Sequence, residues 1–341
     1  MPFAEQRQFP ILVRQGRSRA RYKVGYIDRS GKPVIEPQFD DGDCFSEGLA
    51  AIKLNKKWGF IDSKGDRIIE PRFIAVAHFY EGLAAACGGP QKWGYVDFTG
   101  HFTIPAQYMI AGDFSEGLAW IRKGEGLEGF VDREGRVVVP PIYQSVRSHS
   151  EGLAPVQIGG LWGYIDQEGE MVISPQFAGD LACPFLEGLS RVKHGGRYGF
   201  IDRSGKWVIE PRFPFALDFH EGWALVGKSF EELTGYITPE GDLKIRLSDC
   251  VSAKQFSEGL AAVTYPDGST GFIDASGELA IPARYESTRP FCSGLAAVTT
   301  ESSIGYINHE GAFVWEGPWV QTGFFIRPIP LALQPRSGVG K

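Results

Sequence analysis

The sequence predicts an all-β protein: nine repeats of about 35 residues, each a three-stranded antiparallel meander, arranged as a propeller-like closed ring. Three observations predict this. A glycine followed by an aromatic, Ile or Val and usually Asp recurs at Gly25, Gly59, Gly94, Gly129, Gly163, Gly199, Gly235, Gly271 and Gly305, at spacings of 34 to 36 residues. A second anchor, usually Glu-Gly-Leu-Ala, keeps the same period at Gly48, Gly82, Gly117, Gly152, Gly188, Gly222, Gly259 and Gly294. Between the anchors the apolar runs are short, rich in aromatic and β-branched residues and bounded by turn chemistry, which is the pattern of strands.

The stretch from Leu49 to Glu70 shows one unit. Leu49-Ala50-Ala51-Ile52 forms the first strand and Trp58-Gly59-Phe60-Ile61 the second. Asp62-Ser63-Lys64-Gly65 is a turn, and Ile68-Ile69 belongs to a third strand that Pro71 is expected to end, because proline donates nothing to a ladder. An aromatic such as Phe73 follows, placed to anchor the connector on the core.

The turn recurs in all nine units. Gly31, Gly65, Gly100, Gly135, Gly169, Gly205, Gly241, Gly277 and Gly311 each lie three residues after Asp, or after Thr238 or Asn308. That pattern predicts a type I turn whose side chain accepts a local N–H and whose glycine is left-handed. Trp58, Gly59, Asp62 and Gly65, with Trp93, Gly94, Asp97 and Gly100, and Trp162, Gly163, Asp166 and Gly169, are accordingly read as structural repeat positions. A row of identical aspartates suits turns better than a single active site. The glutamates at 47, 81, 116, 151, 187, 221 and 258 are expected to bond the neighbouring unit or the turn N–H groups; a carboxylate ring that recruits cations is the alternative.

Both strand faces are apolar. Trp58 and Phe60 point one way while Gly59 and Ile61 point the other, so each sheet needs cover on two sides and one unit cannot fold alone. The ends complement each other. Ile11-Leu12-Val13 sits where a first strand belongs, and the chain after Phe313 supplies a third strand and a connector with no first strand to follow. Ring closure accounts for this, and an open β-solenoid or superhelical array is the alternative. The expected divisions are an N-terminal arm at 1–10, the repeat domain at 11–326 and a flexible tail at 327–341.

Departures from the repeat are where binding is sought. The first hairpin is long and basic, with Arg17, Arg19 and Arg21 as candidate partner contacts. Unit seven diverges most, and there Trp223 replaces the usual leucine and is a further candidate contact.

These units, Gly-Leu-Ala-x-Val followed by Trp-Gly-Tyr/Phe-Ile-Asp, Gly, Val-Ile and Pro, resemble the WG (also called KWG) repeat family of bacterial proteins from about Ile11 to Pro318. The literal Trp-Gly pair stands only at Trp58-Gly59, Trp93-Gly94 and Trp162-Gly163. The resemblance implies a β-rich interaction module with no catalytic residues to carry over.

Composition and motifs point the same way. A net charge of -6 with 22% charged residues offers no basic surplus for nucleic acid. No apolar run approaches a membrane span and the start lacks a leader pattern, so the expected location is the cytoplasm. The five cysteines form no CxxC pair and read as buried apolar residues. His78, His149 and His220 share no metal-ligand spacing, and no GxSxG, P-loop or GxGxxG with a following helix occurs. No metal, cofactor or enzymatic activity is expected. The expected function is a protein–protein interaction scaffold with a protein or peptide partner; the alternative is a glycan or cell-wall binding module that stacks sugars on exposed Trp and Tyr.

Overall fold

A computed structural model describes residues 8–15, 21–90, 92–124, 126–179 and 182–318. Among these residues the strands form nine small antiparallel sheets set in a ring, a nine-bladed β-propeller without helices.

The connectors contribute a strand that the repeat pattern hides. In blade two, Asp41–Ser46 pairs with Leu49–Leu54, which pairs with Lys57–Ile61, which pairs with Arg67–Phe73. The expected three-stranded meander is therefore four-stranded, with inner, second, third and outer strands in chain order. Blades three, four, five, seven, eight and nine share this order, while blades one and six show three described strands. Inner strands of blades two to four run six residues (Asp41–Ser46, Ala75–Tyr80, Ile110–Ser115). Those of blades five, seven, eight and nine shrink to two (Ser145–Val146, Phe215–Ala216, Ser252–Ala253, Ser287–Thr288).

Proline does not end the outer strand, as the sequence suggests, but sits inside it. Trp58 pairs with Phe73 and Phe60 with Ile69, so three residues, Glu70 to Arg72, bulge against Gly59. A bulge needs no donor there, so Pro71 costs the ladder nothing. The bulge backbone presses on the glycine: a Cβ on Gly59 would lie 2.3 Å from the Ile69 carbonyl oxygen and 2.7 Å from the Pro71 nitrogen. Close backbone approach is thus why glycine follows the tryptophan.

The turns form as their chemistry predicts. In all nine units the glycine N–H donates to the carbonyl of the residue three before it, as in Gly65 to Asp62 at 3.0 Å. The Asp62 carboxylate accepts from the N–H groups of Lys64 and Asp66, both at 2.9 Å.

Neighbouring blades are joined by aromatic pairs. The aromatic of each third strand meets a ring of the next blade, from Tyr26–Phe45 and Phe60–Phe79 round to Phe272–Phe291, and Tyr306 of blade nine meets Phe9 of blade one. Centroids are 4.6 to 5.3 Å apart, a separation at which tilted pairs attract. The third-strand ring alternates strictly: Tyr26, Tyr95, Tyr164, Tyr236 and Tyr306 in odd blades, Phe60, Phe130, Phe200 and Phe272 in even ones. Each tyrosine hydroxyl donates to a main-chain carbonyl across the blade boundary, such as Tyr26 to Asp43 at 2.9 Å and Tyr95 to Gly112 at 2.8 Å. Tyr306 donates to Pro10, and Phe9, Ile11 and Ile27 pack with Leu295, Ala297 and Tyr306, which closes the ring.

Candidate functional site

The repeated glutamates are committed to holding blades together. Glu47, Glu81, Glu116, Glu151, Glu187, Glu221 and Glu258 all have φ between 50° and 55°, and a glycine with positive φ follows each. Two successive left-handed residues aim their N–H groups into one concavity, which attracts an anion. The carboxylate of the preceding blade occupies it: Glu47 accepts from the N–H groups of Glu81 and Gly82, both at 2.8 Å, and Glu187 from those of Glu221 and Gly222 at 2.6 and 2.9 Å. The series runs on to Glu258, which accepts from Gly294, where Ser293 stands in for glutamate.

The other repeat positions serve strands and turns. Trp58 and Trp162 are buried, 9% and 2% exposed, and Trp93 is half-buried against the core of blades three and four. The Trp162 indole donates to the Gly179 carbonyl at 3.1 Å. Gly94 and Gly163 face bulges as Gly59 does, and Gly65, Gly100 and Gly169 close the turns of Asp62, Asp97 and Asp166 with φ of 87°, 81° and 89°. The Thr99 hydroxyl beside Asp97 holds its carboxyl below the usual range.

The candidate partner contacts divide. Arg17 and Arg19 lie outside the described residues, and Arg21 begins the strand Arg21–Asp28. Trp223 is half-buried with its ring 5.7 Å from Phe256 of blade eight, so it packs between blades and leaves only part of its surface accessible.

Charged groups near the inner strands are mostly paired across blades. His78 lies 3.4 Å from Asp43. The Arg191 guanidinium donates to the Asp218 carboxylate and to the Ala216 carbonyl, each at 2.8 Å, and to the Cys183 sulfur at 3.1 Å. Burial pushes the Cys183 thiol up, away from the reactive thiolate. Among the described residues no group of three or more His, Cys, Asp or Glu side chains could hold a metal.

The surface left over is the rim. The first two residues of the outer strands expose apolar side chains on blade after blade, among them Ile68 (45%), Phe102 (37%), Val137 (46%), Val172 (47%), Val208 (45%) and Leu279 (43%). Burial begins one or two positions on, at Ile69, Ile104, Val139, Ile173, Ile209 and Ile281. Each outer strand is also a sheet edge with unpaired main-chain groups, blunted where proline sits in the bulge. On sequence grounds Ile68-Ile69 belongs to a third strand, with neither residue assigned to water. The two-residue alternation of a strand is the signal that separates Ile68 from Ile69.

Fold and surface together define a propeller of short repeats with a banded apolar rim. The model of the WG containing repeat matches residues 25–58, 58–87, 93–126, 129–162, 162–198, 198–229 and 271–302, more than half of the chain, and the protein belongs to that family. No curated protein matches the sequence. Among solved structures it is similar to a crystal structure of the eukaryotic initiation factor, with a TM-score of 0.59 at 11% identity over 92% of this chain and 96% of that one. BamB from Moraxella catarrhalis gives a TM-score of 0.45 at 10% identity, over 80% of this chain and 94% of that one. At such identity the likeness to the initiation factor is one of fold alone.

Proposed function

We propose that the protein is a non-enzymatic scaffold whose rim binds a protein or peptide partner. The observation that carries this reading is the exposed apolar band of the outer strands. The exposure recurs at the same strand position on successive blades, and apolar patches beside polar residues are what partners cover. The repeated Glu, Asp, Gly and Trp residues are taken up by folding, so specificity is left to the residues that differ between copies. Five cysteines without a bridge support work in a reducing compartment, the cytoplasm. The packing of Trp58 and Trp162 weighs against a sugar-binding array that stacks on the Trp-Gly tryptophans.

The test is cross-linking of the full chain in its native lysate, followed by mass spectrometry. The wild type should give cross-links to the same partner from several blades. Ile68→Asp and Val172→Asp, at sites already in water, should keep the melting temperature and lose those cross-links. Retention of every cross-link in the double variant would reject the rim as the binding face.

A further inference from the structure

We propose that the cleft between the inner strands of blades eight and nine binds one oxyanion group, a carboxylate or a phosphate, held between Lys254 and Arg289. The cleft has a volume of about 200 Å³ and is lined by Lys254, Ser287, Thr288, Arg289 and Thr299, with Ala297 and Val298. Lys254 and Arg289 occupy the same place in successive blades, two residues before Phe256 and Phe291. The counterparts in blades two to seven are Asp43, Ala77, Gly112, Arg147, Cys183 and Leu217. Adjacent cations occur there only in blades eight and nine, so this is a departure from the repeat rather than part of it.

Both cations have donors to spare. The Lys254 ammonium donates to the Thr288 carbonyl, which leaves two of its three N–H groups. The Arg289 guanidinium has no hydrogen bond or ion pair among the described residues, and it offers five donors in a fork that suits carboxylate and phosphate. Asp218, whose carbonyl accepts from Gln255 beside Lys254, has its carboxylate engaged by Arg191. Burial and the Arg289 charge together push Lys254 down to about 8, the mark of a cation held without a counter-charge.

The third observation is a buried hydroxyl. Thr288 is 4% exposed, lines the cleft, and its Oγ1 has no hydrogen-bond partner. A buried polar atom without a partner is costly, and an oxyanion between the two cations would accept its proton. Two cations, the residue that carries the spare hydroxyl, and the Ser287 and Thr299 hydroxyls, bonded to each other at 2.9 Å, thus line one small volume.

The experiment is methyl NMR on the full chain, following Ala297 and Val298 while sodium phosphate or sodium acetate is added at constant ionic strength. Saturable shifts at both residues are expected with at least one anion. Arg289→Gln should weaken the binding by about tenfold or more, and Thr288→Val by less. Saturation with phosphate alone assigns a phosphate group, and saturation with acetate alone a carboxylate. Absence of saturable shifts with either anion overturns the proposal, as does unchanged affinity in Arg289→Gln, a substitution at an exposed side chain that leaves the fold intact.

Discussion

The Tyr306 hydroxyl donates to the Pro10 carbonyl at 2.8 Å and joins residues 296 positions apart. With the Tyr306–Phe9 ring pair at 5.3 Å, it is the bond that turns a row of blades into a ring. Tyr306→Phe keeps the ring contact and leaves a buried carbonyl without this donor. Such a loss costs about 1–2 kcal/mol. Urea titrations should show a lowered midpoint, with Tyr95→Phe, which loses the bond to Gly112, as the comparison.

The glutamate staples should be individually weak because each is exposed or half-exposed. Glu187→Ala removes acceptors from the N–H groups of Glu221 and Gly222 and should cost about 1 kcal/mol, read from chemical denaturation. Glu187→Gln keeps one oxygen and should recover part of that loss. A staple worth nothing would leave both midpoints at the wild-type value.

Two glycines separate steric from conformational cost. Gly59→Ala puts a Cβ 2.3 Å from the Ile69 carbonyl, a clash that only the bulge can relieve, and should cost about 2–4 kcal/mol. Gly65→Val meets a φ of 87° and an Ile35 methyl 3.2 Å from its Cβ, and should cost more than about 1 kcal/mol. Neutral melts for Gly65→Val would reject the turn assignment.

His149 predicts a pH effect. It fills the place taken by Phe114 and Phe185 in the adjoining blades, with its ring 4.6 Å from Phe130 and its Nδ1 without a partner. Burial lowers its titration below the ordinary value near 6.5, against smaller opposing effects of the Asp166 carbonyl and the acids Glu116, Asp166 and Glu168. The unfolded chain therefore takes up the proton first, and stability falls as pH drops from 6.5 towards the folded value. His149→Phe should remove that dependence and stabilise by about 1 kcal/mol at pH 7, with a larger gain at pH 5. Melting curves at the two values check it.

Residues that repeat carry a legible reason, and those that vary do not. Asp62 and Gly65 reveal their turn because side-chain acceptor and left-handed glycine are local requirements, and the complementary ends reveal closure. The inner strand is hidden because the connectors holding Asp41–Ser46, Ala75–Tyr80 and Ser252–Ala253 share main-chain pairing and one recurrent ring, Phe45, Phe79 or Phe256, but no alternating apolar pattern. The role of Pro71 is misread for a related reason: whether a proline ends a strand or sits in its bulge depends on Gly59, a residue on another strand. The rim is written in the alternation of a single outer strand, as in Ile68 and Ile69, whereas the Lys254–Arg289 cleft depends on which blades adjoin, and a single unit cannot display that.

The alternation of tyrosine and phenylalanine in the third strands has a parity consequence. A two-colour sequence closes without fault on an even circle, whereas nine positions force two like neighbours, here Tyr306 beside Tyr26. The mismatch stays at that junction wherever the chain is cut. A circular permutant whose new ends fall in the turn at Gly159-Gly160 would move the termini and leave the odd joint between the same two tyrosines.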